Sequence, residues 1–166
     1  MKSFDYGLLS AELCIDALNS GVSGVSIWCL HEILMPDGKK MNIGLWGYKD
    51  EDWWPRPVFY AYSLFTKYVK QGSRVIGIKN QGHSQLKTSC IEYGNKKSIF
   101  VLNKSNLSRK IIINGLDCSK PLKRYLYSSK SVPTKDQHML KFRLIKFKDF
   151  LKDKIPPQSL VLYTSW

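Results

Sequence analysis

Residues 21–61 read GVSGVSIWCLHEILMPDGKKMNIGLWGYKDEDWWPRPVFYA, and how this stretch is read decides the fold. Residues 22–30 are apolar or small almost throughout, with Val22, Val25 and Ile27 β-branched. A continuous apolar run without clean alternation predicts a strand covered on both faces, as in a parallel sheet. A long loop follows, with a turn expected at Pro36-Asp37-Gly38. Arg56-Pro57 then opens a helix, because proline is tolerated in a first turn. The loop leaves from the C-terminal end of the strand, the side on which α/β sheets place their ligand sites. It carries Trp28, His31, Glu32, Trp46, Tyr48, Trp53 and Trp54, so four of the chain's five tryptophans are concentrated here.

Working outward, residues 3–19 have helical periodicity. Tyr6, Leu9, Leu13 and Ala17 recur at three- and four-residue spacing, and Leu8, Ala11, Ile15 and Leu18 widen the stripe. Ser3 is placed to cap this helix and Gly21 to end it in the left-handed conformation. The second helix is expected from Arg56-Pro57 to about Val69, with Val58, Ala61, Tyr62, Phe65 and Val69 on one face and Gly72 as a stop. Helix, strand, loop and helix make one unit of an α/β fold.

Beyond Gly72 the texture changes to short runs with period-two alternation separated by polar turns. Strands are expected at 74–79, 86–93, 98–103, 109–113, 123–127, 140–145 and 160–163. Turns fall at Gly94-Asn95, at 104–107 and at Asn114-Gly115, and Pro156-Pro157 leads the last strand in. Seven short strands at this spacing predict a small antiparallel β-sandwich. The fold class is therefore α/β plus all-β, divided as 1–72 and 73–166. The first part has one strand apolar on both faces, whose backbone groups need neighbouring strands that this part does not offer. It reads as the end of a larger α/β domain.

Charge is distributed unevenly over the 166 residues. Residues 1–69 hold six Lys/Arg and eight Asp/Glu, a net of −2, whereas residues 70–166 hold twenty and five, a net of +15, so the positive charge of the chain lies in the second half. A basic half raises the question of a polyanionic partner. However, 21 of the 26 basic residues are lysines scattered singly, whereas arginine is favoured for bidentate phosphate and base contacts. This argues against a nucleic-acid partner. No apolar run approaches the roughly 20 residues that cross a membrane, and the opening MKSFDYGLLSAELC does not have the form of a signal peptide. Cys14, Cys29, Cys90 and Cys118 lack metal-ligand or redox spacing. Cys14 and Cys29 are expected as buried thiols, while pairing of Cys90 with Cys118 is left open. His31, His83 and His138 are too dispersed for a metal site, there is no glycine-rich phosphate loop, and no cofactor is called for.

Two stretches, AELCIDALNSGVSGVSIWCLHE and GLWGYKDEDWWPRPVFYAYSLFTKYVKQGSRVI, carry a resemblance. The chain resembles the C-terminal portion of a retaining glycoside hydrolase with a (β/α)8 barrel and an appended β-sandwich, a group that includes β-xylosidases and endoglucanases. The tryptophan at a strand end and the W-x-P-R-P-x-x-Y-A helix start (residues 53–61) are its distinctive features, and residues 4–78 bear it best. From residue 81 onward it rests on strand spacing and on position after the barrel.

The resemblance implies action on β-linked glycans by two glutamates, an acid/base and a nucleophile, close together across the sugar. In the family these stand at the ends of the fourth and seventh strands, which would precede Met1. The chain's only glutamates are Glu12, Glu32, Glu51 and Glu92, and the family's Asn-Glu pair is absent. No catalytic residue is assigned, and hydrolysis by this chain alone is not expected. The resemblance does imply glycan contact. Trp28 matches the aromatic floor under the sugar at the cleavage point, and Trp28-Cys29 is a candidate cis peptide. Aromatic faces stack on the apolar face of a pyranose; simple core packing is the other reading of Trp28. Substrate-contact candidates are Trp28, His31, Glu32 and Trp46, the last three also readable as rim residues or loop anchors. The partners expected are a glycan and a chain carrying the missing barrel strands. The alternative is a free-standing module that binds a polysaccharide through its aromatics or a polyanion through its lysines.

Overall fold

The computed structural model describes residues 2–79, 84–117, 119–133 and 139–166. His83, His138 and Cys118, and with Cys118 the pairing left open with Cys90, lie outside these residues. The architecture is two helices, α1 (Phe4–Asn19) and α2 (Pro57–Tyr68), laid on antiparallel sheets. Eight strands are present among the described residues: β1 (Arg74–Ile76), β2 (Leu86–Tyr93), β3 (Lys96–Asn103), β4 (Arg109–Ile113), β5 (Leu122–Tyr127), β6 (Phe142–Ile145), β7 (Leu151–Ile155) and β8 (Ser159–Thr164). Six form one sheet in the order β1-β2-β3-β8-β5-β6, and β4 pairs with β7 in a second.

The large sheet is covered on both sides. Its outer face, with Ile91, Phe100, Leu102, Tyr125, Tyr127, Leu160 and Leu162, packs with Leu8, Ala11 and Ile15 of α1 and Ala61, Leu64 and Phe65 of α2. Its inner face, with Cys90, Ile99, Val101, Val161 and Tyr163, packs against Leu151 and Ile155 of β7. Successive strand side chains point to opposite faces, so a strand covered on both sides is apolar at every position. The middles of β3 (Ile99–Leu102) and β8 (Leu160–Tyr163) are such runs, although both strands are antiparallel to their neighbours.

The helices begin and end where glycine and proline place them. Gly21 sits at φ +77, with Val22 N–H bonded to Ala17 O and Gly21 N–H to Leu18 O, a Schellman end to α1. Ser3 precedes α1 without a side-chain cap bond, and Pro57 takes the first position of α2. Of the wide stripe on α1, the Leu8/Ala11/Ile15 row is buried. Tyr6, Leu9 and Leu13 face outward, Leu9 at 60% exposure and Leu13 at 56%. Tyr127 stacks on Phe4 and its hydroxyl donates to Phe4 O at 2.9 Å. Gly7 lies directly beneath that phenol, where a Cβ would collide with it.

Two expectations are corrected. Residues 22–30 do not form a buried strand: they run as irregular chain, with Val22 49% and Leu30 59% exposed. An apolar run needs strands on both flanks to satisfy its backbone, and among the described residues none pairs with it. Conversely, β7 was not expected, because its middle is Lys-Asp-Lys. The strand nevertheless buries Leu151 and Ile155 and turns Asp153 inward, where Arg124 Nε lies 2.5 Å from Oδ2 and the Tyr163 hydroxyl donates to the same oxygen. That carboxylate joins the two sheets. Burial pushes its pKa up, but the bonds from Tyr163 and Arg124 leave it below the ordinary carboxylate value.

Candidate functional site

The tryptophan-rich loop is built on a short parallel contact between residues 29–32 and 45–46. Leu45 N–H donates to Cys29 O at 2.9 Å, Trp46 N–H to Leu30 O at 2.9 Å, and Glu32 N–H to Trp46 O at 3.0 Å. The approach is close enough that a Cβ at Gly44 would collide with the backbone of His31, Glu32 and Trp46. The loop then reverses at Gly38, φ +79, with Asp37 Oδ1 accepting from Lys39 N–H, so the expected turn is present. The Trp28–Cys29 peptide bond is cis.

Behind this contact lies a charged brace. Glu32 is fully buried: Oε1 accepts from Ile33 N–H at 3.0 Å and Asn42 N–H at 2.8 Å, and Oε2 is 2.6 Å from Arg56 Nη1. Arg56, 4% exposed, also donates to Gly44 O and grips both oxygens of Glu51 at 3.1–3.2 Å. Lys2 and Lys40 close on Glu51 from outside, at 2.9 and 3.0 Å. Burial raises the pKa of each carboxylate, but the cations and backbone N–H groups outweigh it. Glu32 ends below the ordinary value, and Glu51 is brought down to about 2. Both stay ionised at neutral pH, and both are already occupied by Arg56.

The four candidate residues therefore take different places. Trp28 stands 73% exposed. His31 is also exposed; its Nδ1 lies 2.8 Å from Glu32 O and its ring meets Trp53 edge-on at 5.9 Å. Trp46 is half-buried and packs edge-on against Phe59. Glu32, expected at the sugar, is corrected: its carboxylate faces inward as the counter-charge of a buried arginine. Arg56 and Glu51 were missed as site-forming residues. The available signal was an arginine inside the apolar run WWPRPVFYA, since a buried guanidinium requires carboxylates nearby.

Chemically, the open part of this arrangement offers aromatic faces and an imidazole. Among the described residues no group of three or more His, Cys, Asp or Glu is placed to hold a metal ion. Cys29 donates to His31 O, and burial together with the Glu32 charge pushes its thiol pKa up.

No protein-family model and no curated protein sequence matches the chain. Solved structures do. It superposes on a GH30 endoxylanase from Clostridium papyrosolvens C71 with a TM-score of 0.71 and 14% identity, over 98% of this chain and 38% of that one. The catalytic domain of GH30 xylanase C from Talaromyces cellulolyticus gives 0.74 and 14%, over 95% and 34%. The GH51 α-L-arabinofuranosidase from Thermotoga petrophila RKU-1 gives 0.67 and 13%, over 96% and 38%. The chain thus shares its fold with part of these glycoside hydrolases and spans between a third and two-fifths of their length.

Proposed function

We propose that this chain is the C-terminal portion of a protein of glycoside-hydrolase type acting on β-linked glycans. In this reading residues 1–72 take the place of the last helix–strand–helix of a (β/α)8 barrel, with residues 22–30 irregular for want of the flanking strands, and residues 73–166 form an accessory β-sandwich. Its own contribution is sugar contact. Trp28 is the platform, His31 a hydrogen-bonding neighbour held by Trp53, and Trp46 the backing of the loop. The observation that carries the reading is the placement of Trp28: a large ring 73% exposed, next to a segment fixed by backbone bonds and by the Glu32–Arg56–Glu51 brace. An exposed, pre-positioned ring supports stacking on a pyranose at little ordering cost. Hydrolysis is not assigned to this chain, because Glu32 and Glu51 are both engaged by Arg56. The outward row Tyr6, Leu9 and Leu13, together with residues 22–30, is the surface that barrel strands on a partner chain would cover.

The test is a tryptophan-fluorescence titration of the purified chain with β-1,4-xylohexaose and cellohexaose. Saturable quenching is expected, little changed between low and high salt, with affinity falling about tenfold in Trp28→Ala, a loss of about 1.4 kcal/mol. Equal binding by Trp28→Ala would remove Trp28 from the site. Binding only to heparin, weakening steeply with salt, would favour the polyanion module. Turnover of an aryl β-glycoside, abolished by Glu32→Gln, would overturn the non-catalytic assignment.

A further inference from the structure

The small sheet turns one face away from the rest of the molecule. β4 and β7 pair in register, with Lys110 opposite Lys154, Ile111 opposite Asp153 and Ile112 opposite Lys152. Directly opposed residues of an antiparallel pair share a face, and burial in the two strands agrees on which face is open. Ile111, Ile113, Leu151 and Ile155 pack inward with Val101 and Val161 of the large sheet. Lys110, Ile112, Lys152 and Lys154 are exposed on the other face, Ile112 at 60%. Phe150, one step before β7, continues the outward line at 39% exposure, with Lys152 Nζ 4.7 Å from its ring centroid. The helices lie across the opposite face of the large sheet, so this is the side of the molecule turned away from α1 and α2.

The face is cationic and apolar at once. Lys110 and Lys154 stand directly opposite each other, a like-charge pair that is unfavourable without a counter-charge. Among the described residues no carboxylate pairs with the ammonium group of Lys110, Lys152 or Lys154. Asp153, between two of them, turns inward to Arg124 and Tyr163, and the nearest other acid in the sequence is Asp149, beside Phe150. The cations are lysines, without the planar fork by which arginine reads phosphodiesters and bases. Ile112 narrows the partner further. A soluble polyanion would leave this aliphatic side chain in water, whereas a bilayer interface offers it an acyl boundary to enter.

We infer that the outward face of the β4–β7 sheet docks on the surface of an anionic bilayer. Ile112 and the Phe150 ring enter the headgroup boundary, and Lys110, Lys152 and Lys154 lie among the lipid phosphates and carboxylates. Each lysine near such a surface adds an attraction that fades within a Debye length. The net +15 on residues 70–166 draws this half of the chain toward the membrane from farther off. A face that combines lysines with a few protruding apolar side chains lies in the interface plane without crossing it. Trp28 is not part of this face, so the inference does not rest on the glycan reading.

The experiment is flotation of the whole chain with vesicles of phosphatidylcholine alone and of phosphatidylcholine with about 30% phosphatidylserine. Binding to the anionic vesicles only is expected, and it should weaken as salt rises. Lys110→Glu combined with Lys154→Glu should lower the affinity about thirtyfold. The same change of charge at the end of α2, Lys67→Glu combined with Lys70→Glu, should lower it less than about threefold, because those residues lie on the helix side. Ile112→Gln should cost about fivefold. All five positions are exposed, so the variants keep the fold, which unchanged melting temperatures verify. No binding to anionic vesicles, an equal loss in the two double variants, or full binding by Ile112→Gln overturns the proposal. So does a chain that ignores vesicles but binds heparin, with that binding abolished by Lys110→Glu combined with Lys154→Glu.

Discussion

Residues 22–30 and strand β8 carry much the same sequence signal, a run of apolar and small residues with β-branched members, yet β8 is buried at every position while residues 22–30 stay irregular and half open. The difference lies in their neighbours. β8 has β3 on one edge and β5 on the other, helices over one face and β7 under the other. Residues 22–30 have α1 and α2 nearby, with Tyr62 donating to Val25 O, but among the described residues no strand on either flank. An apolar run thus reports how many layers a segment is suited to be covered by. It does not report strand direction, and it does not by itself make a strand.

The comparison breaks most visibly at β8. Leu162→Ala removes a fully buried side chain from between the helices and the sheet, and should cost about 3–4 kcal/mol in chemical denaturation. A loss below about 1 kcal/mol would mean that the sheet's outer face is loosely packed. A smaller effect is expected from acid, acting on the brace that fixes the loop after residues 22–30. Glu51 has a folded pKa of about 2 against an ordinary 4.5, so its stabilisation is complete above about pH 4.5 and is lost as the pH falls toward 2. Glu32 is shifted in the same direction. Melting temperature should therefore drop across that window, and the drop should shrink in Glu51→Gln; identical profiles for the two proteins would refute the brace. The smallest effect belongs to the uncovered run itself. Val22→Ser should change stability by less than about 0.5 kcal/mol, as at other open surface positions. A loss approaching that of Leu162→Ala would show that residues 22–30 are packed after all.

Much of the architecture was legible because the signals are local. Alternation located seven of the eight strands, and Pro57, Gly21 and Gly72 bounded the helices. β7 was not legible, because the reason for its central aspartate is Arg124, 29 positions away, together with Tyr163 on another strand. For the same reason Glu32 was misplaced. Its position beside Trp28 and His31 suggested an open site, and only the fold brings Arg56 against it. The aromatic loop could be recognised as a unit from its composition. Which of its rings would face outward could not, since that depends on Gly44 letting two backbone segments touch.

The clasp of Tyr127 over Gly7 bears on how the chain is made. Its hydroxyl holds Phe4 from 123 positions downstream. At roughly 5–20 residues added per second, α1 exists for about 6–25 s before the residue that fastens it has been synthesised. Phe100, Leu102 and Leu162, against which α1 packs, also come later in the chain. α1 is therefore translated well before the residues that secure it, and throughout that interval its apolar side is available to any holding chaperone at the ribosome exit.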